Sequence, residues 1–161
     1  MARFTAHRVI AAEPVRTWER LTDWRAHGRW VPLTTMTVRH DTGGVGTVFV
    51  GRSGVGPLAF DDVLEVVRWE PPTPTRAGTA GLERRGRVVL GSAEVQVVPL
   101  PGGSCRVRWT EDVAVLSRQL SRPLLPLLVL GGRLAFGHVL AEVARELEPA
   151  AGTRPGPAAQ G

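Results

Sequence analysis

The sequence predicts an α+β domain in which a curved antiparallel sheet is closed by one long C-terminal helix. Before residue 117, most of the chain consists of short segments that alternate apolar and polar residues between glycine- and proline-rich turns, as antiparallel strands do. Segment 125–147 instead places an apolar stripe on one side of a helix, formed by Leu125, Val129, Phe136, Leu140, Val143 and Leu147. A helix with one apolar side needs a surface to cover, and the preceding strands supply it.

The elements before the final helix can be placed in order. Pro14 occupies a first helical position, and apolar residues follow it at intervals of three: Val15, Trp18 and Leu21. Asp23 caps a second short helix. The predicted strands cover 3–10, 34–41, 47–52, 58–69, 87–98 and 105–116, while 73–86 is a weak strand or a loop. We expect one domain over residues 1–148 and a disordered tail rich in Pro, Gly and Ala over 149–161.

The register of the last two strands can be predicted from their apolar faces. One face of the last strand carries Cys105, Val107, Trp109, Glu111, Val113 and Val115, and one face of the preceding strand carries Arg87, Val89, Gly91, Ala93, Val95 and Val97. A slip of one residue would expose an apolar set, so these faces must match. The simplest match pairs Val97 with Cys105, Ala93 with Trp109, and Gly91 with Glu111. It predicts that Glu111 projects into the apolar interior beside a residue without a side chain.

The basic character of the chain does not point to nucleic acid. The net charge is +5 and the pI is near 11.2, but all 20 basic side chains are arginine, alongside 19 Gly and 13 Pro. That bias is typical of a GC-rich coding genome. Only Arg84, Arg85 and Arg87 are clustered, whereas a nucleic-acid interface concentrates its positive charge. We therefore expect no nucleic-acid partner.

The cysteine content and the apolar segments predict a cytoplasmic protein. Cys105 is the one cysteine, which excludes an intramolecular disulfide and fits a reducing compartment. Residues 1–10 contain no apolar core of a signal peptide. We expect no transmembrane segment, because the most apolar window, 120–140, is interrupted by Arg122, Pro123, Pro126, Arg133 and His138.

Several local motifs resemble one superfamily. They are PVRTWERLTD at 14–23, RWVP at 29–32, GVG at 44–46, VVRWEPP at 66–72 and the start of the last strand at 103–110. Together with the order of elements over residues 3–148, they resemble the helix-grip fold of the START and birch-pollen-allergen superfamily, also called SRPBCC. The bacterial polyketide cyclase/dehydrase branch looks nearest.

This resemblance implies a seven-stranded antiparallel sheet around the last helix, two short helices after the first strand, and a pocket for an apolar small molecule. Superfamily members include lipid and quinone carriers, hormone receptors and polyketide aromatase/cyclases. The chain departs from the enzymes in one respect, since it contains no tyrosine. A mechanism that uses a phenol as acid or hydrogen-bond donor is therefore unavailable to it.

Glu111 is the candidate catalytic residue, and three interpretations of it are open. A carboxyl group in an apolar wall should have a raised pKa, which would suit it to proton transfer or to holding a ligand hydroxyl. Alternatively, Glu111 is a buried carboxylate paired with an arginine, Arg87 or Arg133, that fixes the sheet against the helix. A bulge that turns Glu111 outward is the third possibility.

A set of apolar and small residues is expected to line the pocket. It comprises Trp30, Phe49, Val89, Gly91, Ala93, Trp109 and Leu134, with Glu111 among them. For Trp30, Phe49, Trp109 and Leu134, each taken alone, a place in a solid core is the favoured interpretation. The small residues favour a pocket, because they leave space where a solid core would be filled, and ligand cavities measure about 300–1,000 Å³.

Neither a metal nor a cofactor is expected. His138 lies almost opposite the apolar stripe of the final helix and is predicted to be a surface histidine. The other histidines, His7, His27 and His40, are isolated and lack metal-ligand spacing. The glycines of 43–56 lead into strands and not into a helix N-terminus, so they predict turns, not phosphate-binding loops.

Three functions follow as hypotheses. The leading one is binding of a hydrophobic small molecule such as a polyketide, lipid or quinone, driven by apolar burial and oriented by Glu111. The second is a polyketide aromatase/cyclase or dehydratase in which Glu111 exchanges protons. The third is an interaction module that docks through the apolar segment 124–130. That segment needs the pocket, a second subunit or a membrane surface as its partner, so a monomer, a homodimer and transient membrane contact all remain open.

Overall fold

A computed structural model describes residues 2–31, 33–115 and 125–148. Within these ranges the chain forms β1 (Ala2–Ile10), α1 (Pro14–Leu21), β2 (Thr34–His40), β3 (Val48–Ser53), β4 (Phe60–Glu70), β5 (Gly78–Arg84), β6 (Val89–Leu100), β7 (Ser104–Val115) and α2 (Leu125–Leu147). There are also two short 3₁₀ helices: Ala26–Arg29 follows α1, and Gly56–Leu58 lies between β3 and β4. The predicted helix-grip architecture is confirmed. The expected tail, 149–161, lies outside the described residues.

The seven strands form one antiparallel sheet in the order β1-β7-β6-β5-β4-β3-β2. Register shifts interrupt β2 between Val38 and His40, and β4 between Val66 and Arg68. Such bulges bend a strand and increase its twist. The sheet is therefore curved. Its concave face carries the apolar core, whereas the alternate residues of β7, such as Arg106 and Arg108, are exposed.

The two α-helices cover the concave face. In α1, Trp18 and Leu21 are buried as predicted, but Val15 is exposed, because the buried side of this short helix also includes Pro14 and Thr17. The second half of α2 buries the predicted stripe through Leu140, Val143 and Leu147, joined by Val139 and Ala144. Gly132 lies directly against the Phe4 ring, so that a Cβ at this position would overlap the ring.

The C-terminal turns of α2 are held by polar contacts with α1 and with the segments that follow β1 and the first 3₁₀ helix. The Glu146 carboxylate accepts a hydrogen bond from the Trp30 indole at 3.0 Å and lies 2.5 Å from an Arg20 guanidinium nitrogen. Glu148 accepts a hydrogen bond from the backbone nitrogen of Ala11 at 3.2 Å. These contacts fix α2 at its C-terminal end.

The predicted register of the β6–β7 hairpin was wrong by two residues. Val97 pairs with Val107, Val95 with Trp109, and Ala93 with Glu111. A shift of two residues preserves which side chains face the core, so the predicted faces are correct. The difference arises at the turn, where Gly102 and Gly103 adopt φ values of +79° and +69° and allow the strands to pair up to Leu100 and Ser104. Ala93, not Gly91, is therefore the neighbour of Glu111.

Candidate functional site

A cavity of about 140 Å³ lies between the concave face of the sheet and α2. It is smaller than the sequence suggested, and its size is close to that of a cavity of about 150 Å³ that holds one benzene ring. Most of its lining is apolar. The lining consists of Trp24, His27, Val31, Thr34, Met36, Phe49, Gly51, Ser53, Asp62, Leu64, Leu82, Arg84, Trp109, Glu111, Phe136 and Val139.

One end of the cavity, the aromatic end, is formed by rings around His27. Trp24 stacks on Phe49 with a centroid separation of 4.7 Å and an interplanar angle of 8°. The imidazole of His27 lies 5.0 Å from the Trp30 ring and 5.5 Å from the Trp109 ring, measured between centroids. Burial lowers the pKa of His27 to about 4, although the hydrogen bond to the Leu21 carbonyl opposes this shift. The ring is therefore neutral at neutral pH.

The other end, the charged end, is formed by Arg84, Glu111 and Asp62. Arg84 Nη1 lies 2.8 Å from Glu111 Oε2, and Arg84 Nε donates a hydrogen bond to Asp62 Oδ2 at 3.1 Å. The Trp109 indole donates to Glu111 Oε1 at 2.7 Å. The Glu111 side chain is only 1% exposed. A buried ion pair of this kind is stable only when its other lone pairs and protons are also satisfied.

The strand register explains how charges on three strands meet. Asp62 lies on β4, two residues from Leu64, which pairs with Arg84 of β5. Arg84 and Glu111 are separated by β6, where Ala93 pairs with both Leu82 and Glu111. Because Ala93 carries only a methyl group, the long arginine side chain can cross over β6 to reach the carboxylate of β7.

The charged end has more negative than positive groups, and this affects its protonation. One guanidinium faces two carboxyls, so the cluster carries a net charge of −1 when both are ionised. Burial raises the pKa of Glu111 and of Asp62, and the attraction of Arg84 offsets this only in part. Burial lowers the pKa of Arg84, but the two carboxylates more than compensate and the net direction is upward. The two carboxyls titrate as a coupled pair beside a permanent cation.

Three polar atoms of the charged end have no hydrogen-bond partner among the residues that the structure describes. They are Asp62 Oδ1, Arg84 Nη1 and Glu111 Oε2. Arg84 Nη1 and Glu111 Oε2 nevertheless form an ion pair, with 2.8 Å between the two atoms. Each of these atoms belongs to a residue that lines the cavity. The cavity lining is therefore charged at this end.

The structure brings some of the predicted pocket residues together and separates others. Phe49, Trp109 and Glu111 line the cavity. Trp30 does not line the cavity. It packs against His27, and its indole donates a hydrogen bond to Glu146. The remaining predicted residues lie outside the lining: Val89, Gly91, Ala93 and Leu134.

The structure corrects two details of these predictions. Leu134 is 66% exposed on the outer side of α2, because the first half of this helix contacts the domain through Val129, Gly132 and Phe136 instead. Glu111 points inward and is paired with an arginine, but neither Arg87 nor Arg133 is that partner. Arg84 takes this role, and the predicted outward bulge is absent from the pairing of β7.

Sequence reasoning missed His27, Arg84 and Asp62. For His27 a signal was present, since Trp24, His27 and Trp30 recur at intervals of three and share one helical side. For Arg84 the signal was its alternation with Ala80 and Leu82 on a strand that looked weak. His138 was predicted correctly as a surface residue, because its side chain is 56% exposed.

Among residues 2–31, 33–115 and 125–148, no three His, Cys, Asp or Glu side chains converge as metal ligands would. Of the helices that the structure describes, none combines the length and the apolar character needed to cross a bilayer.

An antiparallel sheet closed over an apolar cavity by a C-terminal helix defines a helix-grip domain. The chain belongs to the polyketide cyclase/dehydrase and lipid transport family, whose sequence profile matches residues 1–148. This confirms the predicted superfamily and agrees with the predicted class of function, hydrophobic-ligand binding or cyclase activity. A search of curated proteins found no relative with significant sequence similarity.

Solved structures share the fold at low identity. Zhui aromatase/cyclase from Streptomyces sp. R1128 is 18% identical, with a TM-score of 0.67 over 94% of this chain and 98% of that chain. A norcoclaurine synthase point mutant from Thalictrum flavum is 15% identical, with a TM-score of 0.64 over 90% and 92%. The lipid transfer and protein localization domain of human StarD13 is 14% identical, with a TM-score of 0.64 over 91% and 77%. These likenesses establish the common fold.

Proposed function

We propose that the protein binds a small apolar molecule, about one ring in size, in the cavity between the sheet and α2. The observation that carries this proposal is the mostly apolar cavity between the sheet and α2, whose lining also contains the buried charged groups of Arg84, Glu111 and Asp62. The apolar walls would supply affinity by burial, and the charged end would fix the orientation of a carbonyl or hydroxyl group. The description of the family as cyclases, dehydrases and lipid transporters supports this class of ligand.

Binding can be tested on protein purified from its own host by native mass spectrometry. A bound apolar molecule of one or two rings is expected. The variants Gly51→Ala and Gly137→Ala each add one methyl group, the first in the cavity lining, 3.2 Å from Met36 Sδ, and the second on α2. Among the described residues, no atom outside the backbone of α2 lies within 4 Å of the methyl group at position 137. Gly51→Ala should reduce occupancy and Gly137→Ala should not. An empty wild-type protein, or equal occupancy in both variants, would contradict the proposal.

Cyclase or dehydratase chemistry at the same cavity is the second candidate, with Glu111 in the catalytic role. It is favoured by the raised pKa of the Glu111 and Asp62 carboxyls beside Arg84. When an enol carbon attacks a carbonyl carbon, the protonated carboxyl would give its proton to the carbonyl oxygen, and Arg84 would stabilise the developing negative charge. The carboxylate would then recover a proton from the enol.

Catalysis can be separated from binding with a linear poly-β-ketone thioester as substrate. Glu111→Gln should abolish formation of the aromatic ring, followed by absorbance, while the affinity for an unreactive aromatic ketone is retained. Glu83→Gln removes a half-exposed carboxylate from β5 and serves as the control. Full turnover in Glu111→Gln would restrict the function to binding.

A further inference from the structure

The convex face of the sheet lies opposite the cavity, and in the described part of the chain no helix covers it. Both α-helices pack on the concave face, while β1, β7, β6 and β5 lie side by side across the sheet. Cross-strand partners stand about 5 Å apart, and residues two apart in one strand share a face. The strand register therefore shows which outward charges are neighbours, although they are far apart in the sequence.

One end of the convex face, the basic end, lies near the β6–β7 turn. Arg106 and Arg108 are exposed neighbours on β7, flanked on β1 by Val9 and His7 in a groove of about 430 Å³. On β6, Arg106 pairs with Val98, and no acidic residue stands opposite either arginine. Among the described residues, no carboxylate forms an ion pair with either guanidinium. Like charges on neighbouring positions of one sheet face repel, so this end is positive and not compensated within the chain.

The other end of the convex face, the acidic end, has an excess of carboxylates. The charged side chains that line a groove of about 360 Å³ there are Glu83, Glu94, Asp112, Arg3 and Arg68. Three carboxylates face two guanidiniums, so the lining has a net charge of −1. Glu83 lies 2.8 Å from Arg85 and Glu94 lies 3.8 Å from Arg68, but these two carboxylate side chains are 47% and 44% exposed. Exposed pairs of this kind are weak, so both carboxylates can exchange partners.

The two ends match one another across a two-fold axis. When two copies meet face to face about an axis in the plane of the face, each point meets its own reflection across that axis. An axis near Thr110 and Gln96, midway between the ends, places each basic end on the acidic end of the other copy. Exposed apolar side chains meet in the same arrangement, since Val9 and Val98 belong to the basic end and Val67 lines the acidic groove.

We propose that the convex face is an interface between two copies of this chain, in which Arg106 and Arg108 of each copy pair with Glu83 and Glu94 of the other. Charge complementarity selects a second copy, because one chain supplies two unpaired cations and two exchangeable carboxylates on the same face. The proposal is independent of the proposed function, since the cavity lies on the opposite face.

The size of the interface predicts a weak dimer. Four strands with about seven residues each cover roughly 20 by 23 Å, which corresponds to about 900 Å² buried in total on the two copies. Interfaces below about 1,200 Å² are typical of transient complexes. The dimer is therefore reversible, and its charged contacts make it sensitive to salt.

Sedimentation velocity of the wild-type protein, from about 5 to about 500 μM, tests the interface. About 0.1 M salt screens the long-range repulsion between chains of net charge +5, whereas about 1 M salt also screens the contacts. We expect a concentration-dependent dimer at the lower salt and a dissociation constant at least tenfold larger at the higher salt. A protein that stays monomeric, or a dimer that does not respond to salt, would overturn the proposal. Monomers that instead sediment with vesicles of anionic phospholipid through Arg106 and Arg108 would assign the basic end to a membrane and overturn it as well.

Charge-exchange variants locate the interface. Arg106→Glu/Arg108→Glu makes both ends acidic and Glu83→Arg/Glu94→Arg makes both ends basic, so each double variant alone should be monomeric. An equimolar mixture of the two should form a heterodimer, because every contact then again joins opposite charges.

The double variant Arg16→Glu/Arg133→Glu is the matched control, since it makes the same change in net charge at exposed positions of α1 and α2. It should dimerise as the wild type does. A dimer that persists in either charge-exchange variant alone, or a mixture that does not associate, would overturn the proposal. If a variant does not fold, as judged by circular dichroism, the salt dependence of the wild-type protein decides.

Discussion

The two ends of the cavity bury polar side chains in opposite ways. At the charged end, Arg84 and Glu111 are almost fully buried, and attraction keeps the guanidinium ionised. At the aromatic end, the rings around His27 supply no counter-ion, and burial keeps the imidazole neutral. One cavity thus contains a charged cluster and a neutral histidine. The presence of a partner of opposite charge decides between the two outcomes.

This difference predicts opposite responses to acid. Protonation of Glu111 and Asp62 relieves the excess negative charge of the native state, so acidification stabilises the charged end. Protonation of His27 is resisted by the native state and favoured by unfolding, so acidification destabilises the aromatic end. The following variants test the comparison in order of expected effect.

Removal of Arg84 should have the largest effect. Arg84→Met leaves two buried carboxyls without their cation, and breaking a buried pair in this way lowers the free energy of unfolding by about 3–5 kcal/mol. Urea denaturation at neutral pH measures this loss. The double variant Arg84→Met/Glu111→Gln should recover part of it, because only the half-buried Asp62 then remains charged.

Arg52→Met is the matched control for Arg84→Met. Arg52 also pairs with an aspartate, Asp61, at 3.0 Å, but its side chain is 60% exposed. Exposed pairs contribute about 0–1 kcal/mol, so this variant should remain close to the wild type. Equal losses in the two single variants would show that the charged end does not depend on its cation.

Acid titration of His27 should have the next largest effect. Its native pKa is about 4, below the ordinary value of 6.5, so the unfolded chain binds the proton first as the pH falls. The contribution of His27 to stability is therefore constant above pH 6.5 and declines between 6.5 and about 4. Over this interval the protonation of His27 lowers the free energy of unfolding by roughly 3 kcal/mol, at about 1.4 kcal/mol per pH unit.

Variants isolate this contribution from that of the carboxyls. His27→Gln retains a donor for the Leu21 carbonyl but does not titrate, so the decline in unfolding free energy between these pH values should be largely removed. His138→Gln should keep the wild-type slope, because His138 is exposed. An unchanged slope in His27→Gln would show that the imidazole accepts a proton in the native state.

A third variant leaves both ends intact and displaces the helix that covers them. A Cβ at position 132 would overlap the Phe4 ring, so Gly132→Ala should lower the unfolding free energy by about 1–3 kcal/mol, as overpacking does. At the neighbouring Gly131, no atom of the described residues outside the backbone of α2 lies within 4 Å of the added Cβ. Gly131→Ala should therefore stabilise the protein by about 0.5–1 kcal/mol through helix propensity. Similar effects at both positions would exclude close packing of α2 on β1.

The smallest effect is expected for Glu111→Gln. The raised pKa of Glu111 means that its contribution to stability is fully present below about pH 4.5 and is lost as the pH rises through the native pKa. Glutamine avoids this loss and leaves Arg84 paired with Asp62. We expect a gain of about 1 kcal/mol in unfolding free energy at a pH above the native pKa of Glu111, since replacing a buried ion is often neutral or stabilising. A loss of several kcal/mol would instead show that the carboxylate is a net stabiliser.

The fold could be predicted from the sequence because its signals are local. Alternation along β7 places Trp109 and Glu111 on one face whatever the pairing, and the stripe of α2 requires only helical periodicity. The register of β6 and β7 was not predictable to the residue, since pairing Val97 with Cys105 or with Val107 buries the same side chains. Two adjacent glycines with positive φ decide it, and alternation of apolar residues carries no information about them.

The site was predictable only in part, because its contacts are not local. Inward orientation of Glu111 followed from strand phase, but its partner Arg84 lies two strands away, and the sequence does not show which arginine crosses β6. His27 was dismissed as isolated because it lacks metal-ligand spacing. Its environment comes from rings on several elements, Trp24, Trp30 and Trp109, that meet only in the folded chain.

The methyl group of Ala93 has a consequence for sequence variation. Two ionic side chains that meet over an intervening strand depend on what stands between them, so a bulky residue at position 93 would block the approach of Arg84 to Glu111. Homologous chains that carry a large residue there should therefore have lost the arginine, the glutamate or both. A correlated change at three positions on three different strands would be the evolutionary trace of one steric requirement.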